Sequence, residues 1–109
     1  MTKLASRRCS PQKGPALSRP AVAKLAKEVS KWKVDAASKE IRRTFAFKDY
    51  YGTMAFVNAV AWIAHREDHH PDLTVGYNKV GVLFSTHSVG GLSENDFISA
   101  AKIDSLGAR

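Results

Sequence analysis

The fold is decided by residues 49–87, which are DYYGTMAFVNAVAWIAHREDHHPDLTVGYNKVGVLFSTH. Apolar side chains cover a wide helical face over residues 49–65, and Asp49 stands where a helix-capping side chain is expected. Pro71 pushes the residue before it out of the helical region, so we expect it to end this helix. The stretch therefore begins with one long helix.

Two strands are predicted to follow that helix. Apolar residues alternate with other residues over 73–77, and they alternate in the opposite phase over 80–86. The change of phase falls at Asn78 and Lys79, which marks a turn or bend between the strands. The central stretch thus predicts a helix followed by two paired strands.

The flanking sequence completes an α+β domain. Ser18 is a candidate cap for a helix at about 18–30, and residues 32–47 have the β-branched and aromatic pattern of a hairpin. The run Ser93-Glu94-Asn95-Asp96 has the pattern of a capping box that opens a last helix, with Gly107 as its stop. The order α-β-β-α-β-β-α predicts an antiparallel four-stranded sheet with three helices packed on it.

Length and charge define the domain organisation. The 109 residues fit one domain, and the formal net charge of +7 comes from residues 1–27, which contain no acid. Residues 1–16 are predicted to be a basic, disordered leader that catalysis does not need, and residues 17–109 to be a single domain. A weak electrostatic anchor and a transit peptide are the other interpretations of the leader, which lacks the aromatic residues that stack on nucleic-acid bases.

Other classes of protein fit the composition poorly. Cys9 is the only cysteine, so an internal disulfide is excluded. No run of residues approaches the roughly 18 consecutive apolar positions of a membrane helix. We therefore expect a cytoplasmic protein that binds neither a membrane nor a specific nucleic acid.

Four histidines lie within 23 positions of one another, which is the main functional signal. They are His65, His69, His70 and His87. His65 and His69 would share a face if the long helix persisted that far, and His87 ends the second predicted strand. Imidazole can give or take a proton near neutral pH, so several around one cleft suit a reaction that needs both an acid and a base.

Zinc binding and a structural role are the alternatives for these histidines. His65 and His69 could hold zinc with a third ligand such as His87, Asp68 or Glu67. The H-E-x-x-H arrangement is absent, which makes this interpretation weaker. His65 by itself is best explained as a favourable partner of the helix dipole, whereas spacing favours a catalytic role for the other three.

Several motifs together closely resemble the pterin-4a-carbinolamine dehydratase family. They are Glu67-Asp68-His69-His70-Pro71-Asp72, Tyr77-Asn78-Lys79-Val80, Ser85-Thr86-His87 and Gly91-Leu92-Ser93-Glu94-Asn95-Asp96, in that order. The resemblance covers roughly residues 18–106. It implies dehydration of a 4a-hydroxytetrahydropterin to a quinonoid dihydropterin, without a metal or an organic cofactor.

The same resemblance implies which residues form the site. His69, His70 and His87 fall on the family's catalytic histidines, and Asp96 on an accessory acid. The other accessory or substrate-binding candidates are Asp68, Pro71, Ser85 and Thr86. His65 stands where animal members carry a glutamate, so a carboxylate that orients His69 would have to be Glu67 or Asp68.

Partners are also implied by the resemblance. Family members form dimers and tetramers and act after an aromatic amino-acid hydroxylase has used its tetrahydropterin. We therefore expect a homo-oligomer with a functional link to such a hydroxylase. A protein-interaction module that regulates a hydroxylase or a transcription factor is the alternative function on the same fold.

Overall fold

The computed structural model describes residues 3–106, in which three α-helices and four strands follow the predicted order. They are α1 (Arg19–Ala26), β1 (Lys33–Val34), β2 (Ile41–Ala46), α2 (Tyr50–Glu67), β3 (Asp72–Val75), β4 (Lys79–Phe84) and α3 (Glu94–Asp104). The prediction of an α+β fold with an antiparallel four-stranded sheet is confirmed. No helix within residues 3–106 combines the length and the hydropathy needed to cross a membrane.

The sheet has the strand order β1-β2-β4-β3, and every neighbouring pair is antiparallel. In register, Phe45 of β2 pairs with Val80 of β4, and Leu73 of β3 pairs with Val82. Alternate residues of β2 and β4 are buried, since successive side chains of a strand point to opposite faces. The sheet therefore has one core face, and β3 lies at its edge.

An aromatic cluster fills the core between the sheet and the helices. The ring centroids of Phe45 and Phe56 lie 4.6 Å apart, and those of Trp32 and Phe84 lie 5.8 Å apart. Trp32 is buried, and its Nε1–H donates to Asp104 Oδ1 at 2.9 Å, so its polar atom is satisfied. This core holds β4 and α3 together, and both lead into the histidine cluster.

The three predicted helix starts are confirmed by their capping bonds. Ser18 accepts a hydrogen bond from the Ala21 N–H, Asp49 accepts one from the Gly52 N–H, and Ser93 forms a capping box with Asp96. Helix α1 itself is shorter than the predicted 18–30, because a 3₁₀ turn at Lys27–Val29 replaces its last turn. The predicted stop at Gly107 lies outside the described residues.

The N-terminal segment differs most from its prediction as a disordered leader. Within residues 3–16, Leu4 is buried in a 3₁₀ turn, and Cys9 packs against the core. Arg7 forms an ion pair with Glu94 at 2.7 Å. The segment is held against the domain because Arg7, Arg8 and Cys9 meet partners 58 to 90 positions away in the chain, which composition cannot show.

Candidate functional site

The end of α2 places His69 outside the helix. Asp68 adopts a left-handed conformation (φ 53°, ψ 44°), and the His69 N–H donates to Ala64 O at 3.1 Å. The helix therefore ends at Glu67, three residues before the residue that precedes Pro71, and the prediction that Pro71 ends it is wrong. Because His69 has left the helix, it does not share a helical face with His65, whose exposed side chain lies beside Trp62.

His69 is the best-fixed histidine of the cluster. Its Nε2 lies 2.6 Å from Asp96 Oδ1, and its ring is stacked on Phe84 with centroids 5.6 Å apart. The side chain of His69 is 11% exposed and that of Asp96 is fully buried. A carboxylate can only accept hydrogen bonds, so the proton of the neutral ring lies on Nε2, and Nδ1 is the nitrogen left for a ligand.

Asp96 is held by a short chain of hydrogen bonds at the start of α3. Its Oδ2 accepts the Ser93 N–H at 3.0 Å and the Thr86 hydroxyl at 2.8 Å. The Ser93 hydroxyl lies 2.6 Å from Thr86 Oγ1 and accepts the Asn95 N–H. Since Thr86 donates to Asp96, Ser93 donates to Thr86. Asp96 therefore caps α3, as the capping-box motif predicts, and it also bonds to an imidazole, which was expected of Glu67 or Asp68.

His87 and His70 lie on more open turns. Strand β4 ends at Phe84, so His87 does not end the strand as predicted but begins a 3₁₀ turn at His87–Val89. Gly90 closes this turn in a left-handed conformation (φ 71°) that favours glycine. Both histidines are exposed, and His70 Nδ1 lies 3.4 Å from the carbonyl oxygen of Pro71.

One cleft brings most of the predicted site residues together. Its volume is about 410 Å³, and it is lined by Asp68, His69, His70, Asp72, Leu83, Ser85, Thr86, His87 and Ser88. Pro71 lines a neighbouring groove of about 350 Å³, which also contains His65. Asp96 lies behind His69 and is not among the lining residues. The cleft volume lies within the range of small-molecule sites.

Sequence reasoning missed Asp72, Leu83 and Ser88 as lining residues. Asp72 and Leu83 are directly paired in the register of β3 and β4. The structure places the turn at Tyr77 and Asn78, since Gly76 bonds to Lys79 across it. The turn predicted at Asn78 and Lys79 is one residue later and would have placed Asp72 opposite Ser85, so the sequence pattern did not give this pairing. Ser88 follows His87 in the 3₁₀ turn, which the sequence pattern did not indicate.

Glu67 is a buried acid near the site that has partners of its own. Among residues 3–106, no group of three or more His, Cys, Asp or Glu side chains is arranged to hold a metal ion. Glu67, at the end of α2, is buried; burial raises its pKa, but the Cys9 N–H, Lys102 and Arg8 together hold this pKa below its ordinary value. The partners of Glu67 named here do not include His69. The carboxylate that is bonded to His69 is that of Asp96.

Known sequences resemble this chain over nearly its whole length. A family model described as "Pterin 4 alpha carbinolamine dehydratase" matches residues 15–106. A protein of Nitrosospira multiformis is 58% identical over 105 residues, which are 94% of this chain and 91% of that protein. One of Stenotrophomonas maltophilia (strain K279a) is 57% identical over 105 residues, covering 94% and 90%. Both bear the name "putative pterin-4-alpha-carbinolamine dehydratase".

Solved structures show the same fold. One is described as a transcriptional coactivator/pterin dehydratase from Brucella melitensis; it matches with a TM-score of 0.79 and 30% identity, over 84% of this chain and 97% of that chain. Another is described as a pterin dehydratase-like protein that is a RuBisCO assembly factor in the alpha-carboxysome. It matches with a TM-score of 0.62 and 25% identity, over 72% and 93%.

Proposed function

This chain belongs to the pterin 4 alpha carbinolamine dehydratase family, and from that premise we propose that it dehydrates a 4a-hydroxytetrahydropterin by histidine acid–base catalysis. The observation that carries the proposal is the cleft lined by His69, His70 and His87, in which a buried carboxylate holds one of the three rings. Its volume of about 410 Å³ suits a bicyclic ring of pterin size.

The reaction needs an acid and a base but no oxidation. A proton is delivered to the hydroxyl at C4a, the C4a–O bond breaks, and its electron pair leaves with water. A proton is removed from a ring nitrogen, and the freed electron pair forms the C=N bond of the quinonoid dihydropterin. One proton is given and one is taken, so the total number of protons on the histidines is unchanged, and proton exchange with water returns the donor and His70 to their starting states without a metal or an organic cofactor.

The two donors in this proposal are His69 and His87. His69 donates as the imidazolium, which carries a second proton on Nδ1, because Nε2–H is engaged by Asp96. His87 comes from the turn after β4, whereas His69 comes from the turn after α2, so the two rings approach the cleft from different elements. We assign one donor to each face of the pterin ring.

His70 has the third role, which is to bind the substrate and assist removal of the ring-nitrogen proton. Its side chain is exposed and lines the same cleft. Asp68, Ser85 and Thr86 also line the cleft and supply polar contacts to the pterin, and Pro71 supports the turn from the neighbouring groove. Asp96 acts as the accessory acid that orients His69.

The cellular role that follows is tetrahydropterin recycling. The substrate is what an aromatic amino-acid hydroxylase leaves after one turnover, so the protein would act in the cytoplasm alongside such an enzyme. The family resemblance supports this link.

Self-association belongs to the same proposal. Tyr51 and Trp62 of α2 are 82% and 61% exposed, and large exposed aromatic side chains are enriched at interfaces. Strand β3 is at the edge of the sheet, where unpaired backbone groups favour strand addition. We propose a dimer or tetramer built on these two surfaces.

A second candidate function is a protein-interaction module. It is favoured by the roles given for the two solved structures, a transcriptional coactivator/pterin dehydratase and an assembly factor. The two functions differ in one requirement: an interaction module does not need His69.

Stopped-flow measurement of 4a-carbinolamine dehydration tests the proposal. The wild-type protein should accelerate dehydration, and His69→Ala and His87→Ala should each lower kcat by roughly 10²-fold or more for one stereoisomer of the substrate. The two variants should differ in which isomer is affected more. A wild-type protein that does not accelerate dehydration of either isomer refutes the proposal and favours the interaction module.

A further inference from the structure

We propose that the N-terminal strap, residues 3–17, is a positioning element for the two turns that carry His69 and His87. The inference rests on the proposed function, because it concerns how those histidines are held. The sequence predicted that this segment is dispensable for catalysis. The contacts of the strap indicate the opposite.

The first anchor of the strap is Glu67, the last residue of α2. The Cys9 N–H donates to Glu67 Oε1 at 2.8 Å, and Arg8 Nε lies 3.0 Å from Oε2. Arg8 also donates from Nη2 to the carbonyl oxygen of Arg66 at 3.2 Å. The strap therefore binds the last two residues of α2, immediately before the left-handed turn that delivers His69.

Glu67 is buried, so the contacts from the strap are needed to stabilise its charge. Its side chain is 3% exposed, and a buried charge that loses its partners is strongly destabilised. Apart from the strap, Lys102 contacts it at 3.9 Å, and Lys102 also donates to the Ala5 carbonyl oxygen at 2.8 Å. Without Arg8, the carboxylate would gain stability by turning toward water, which would pull the end of α2 and the His69 turn with it.

The second anchor is the loop that carries His87. Ser88 Oγ donates to the Gln12 carbonyl oxygen at 3.2 Å, and the Leu17 N–H donates to Leu92 O at 2.9 Å. A Cβ on Gly91 would lie 2.9 Å from Ala16 Cβ, so the two chains run in close contact there. The strap thus lies against the 3₁₀ turn itself, at Ser88, and against the residues that follow it.

The third anchor of the strap is Asn95, in the first turn of α3. The Ser10 N–H donates to Asn95 Oδ1 at 3.1 Å, and Asn95 Nδ2 donates to the Ser10 carbonyl oxygen at 2.7 Å. Asn95 precedes Asp96, the residue that orients His69. One segment therefore contacts the supports of both proposed proton donors.

Residues 3–14 precede the region that the family model matches, which begins at residue 15. The positioning role is therefore a property read from the contacts of this chain. Misplacing a catalytic group by about 1 Å can cost up to about 10²-fold in rate, so a loosened strap should act on turnover.

The test compares Arg8→Ala with Lys13→Ala in the full chain. Each variant removes one positive charge from the strap, and Lys13 is exposed with no hydrogen bond or ion pair among the described residues. Arg8→Ala should lower kcat by about 3- to 10-fold with KM unchanged, and Arg8→Lys should restore most of it. Lys13→Ala should change neither constant.

A readout without turnover separates this inference from the proposed function. In ¹H–¹⁵N spectra of the histidine side chains, Arg8→Ala should shift the His69 ring signals, and Lys13→Ala should leave them in place. A wild-type protein without dehydratase activity would refute the proposed function, while shifted His69 signals would still support positioning by the strap.

The inference is overturned if Arg8→Ala matches Lys13→Ala in kcat and in the His69 signals. A lower melting temperature with unchanged kcat also overturns it, because the strap would then stabilise the fold only. Arg8 is 62% exposed, so its removal leaves the core intact. If Arg8→Ala nevertheless unfolds, Glu67→Gln, which keeps an acceptor for Cys9 but loses the charge that Arg8 pairs with, decides by the same readouts.

Discussion

The floor and the rim of the cleft hold the same kind of side chain in different ways. His69, on the floor, is 11% exposed, stacked on Phe84 and bonded to a buried carboxylate. His70 and His87, on the rim, are exposed. The sequence alone does not distinguish these three histidines. In the structure, His69 is preorganised by its surroundings, whereas His70 and His87 are free to adjust to a ligand.

This division has a physical cause in the start of α3. A helix N-terminus leaves several N–H groups without partners, and a carboxylate at its third position satisfies one of them while the helix dipole favours its charge. Asp96 occupies that position and has a second oxygen free for His69. The floor is rigid because one residue serves both the helix and the imidazole, whereas within residues 3–106 no carboxylate bonds to the ring of His70 or His87.

The largest expected effect comes from removing both proposed proton donors. We expect His69→Ala/His87→Ala to lower kcat for both substrate isomers by at least about 10³-fold, beyond either single variant, because no second acid remains on either face. Stopped-flow dehydration of each isomer measures this effect. Circular dichroism first establishes that the variant is folded. Near wild-type turnover in the folded double variant would leave the histidines with a binding or structural role.

The second-largest effect is expected from changing Asp96, the residue that holds His69 on the floor of the cleft. The two carboxylate oxygens of Asp96 accept hydrogen bonds from three donors. Asp96→Asn replaces one of these oxygens with an amide nitrogen, which cannot accept, so at least one donor loses its acceptor. We expect a loss of about 1–3 kcal/mol in the free energy of unfolding and a fall in kcat of about 10-fold or more. Urea unfolding and stopped-flow kinetics measure the two quantities.

Glu94→Gln is the matched control for Asp96→Asn. It also neutralises an acid in the first turn of α3, but Glu94 is partly exposed and pairs with Arg7 instead of a histidine. Its effect on stability should be below about 1 kcal/mol, and kcat should fall much less than in Asp96→Asn, because Glu94 touches the strap through Arg7 but is not bonded to His69. Equal losses of kcat in the two variants would mean that Asp96 acts through the helix and does not orient His69.

The rim was easier to predict from the sequence than the floor. Helical periodicity, two alternating strands and the turn at Asn78 fix the order of the elements, and those local patterns bring His70 and His87 to one end of the sheet. One support of the floor was also predictable, because the motif Ser93–Asp96 predicted the capping box that the structure confirms. These features depend on neighbours in sequence, which a pattern records.

The floor and the strap depend on contacts between distant residues. The bond from His69 to Asp96 spans 27 positions, and the bond from Cys9 to Glu67 spans 58. The left-handed Asp68 is another case, because the proline three residues later gave a plausible but wrong end for α2. Tertiary partners decide such points, and neither composition nor periodicity encodes them.

A smaller effect concerns the pH dependence contributed by Glu67. Its pKa in the folded protein lies below its ordinary value of 4.5, so the native ionised form is favoured over the unfolded chain. The contribution to stability is fully present above pH 4.5 and is lost as the pH falls through the lowered pKa. Relative to Glu67→Gln, the wild type should therefore be more stable at pH 7, and the difference should shrink below about pH 4.5.

Urea unfolding of both proteins between pH 7 and pH 3 measures this difference. Glu94→Gln provides the comparison. Glu94 also pairs with an arginine of the strap, Arg7, but its side chain is much more exposed than that of Glu67. A difference between the wild type and Glu67→Gln that stays constant down to pH 3 would contradict the prediction. It would mean that the Cys9 N–H and Arg8 stabilise the neutral acid as well as the carboxylate.

The smallest effect is expected at His65, which belongs to neither the floor nor the rim. Its side chain is exposed in the last turn of α2, where a basic group interacts favourably with the helix dipole, and it does not line the main cleft. His65→Ala should change the free energy of unfolding by less than about 1 kcal/mol and kcat by less than about two-fold. His65→Glu is the sharper variant, because it places a carboxylate four residues before His69, where the family resemblance implies a glutamate in animal members. Since Asp96 already engages His69 Nε2, this added carboxylate should bring no increase in kcat. The stopped-flow assay and urea unfolding measure both variants, and a several-fold increase in kcat for His65→Glu would show that Asp96 alone does not orient His69.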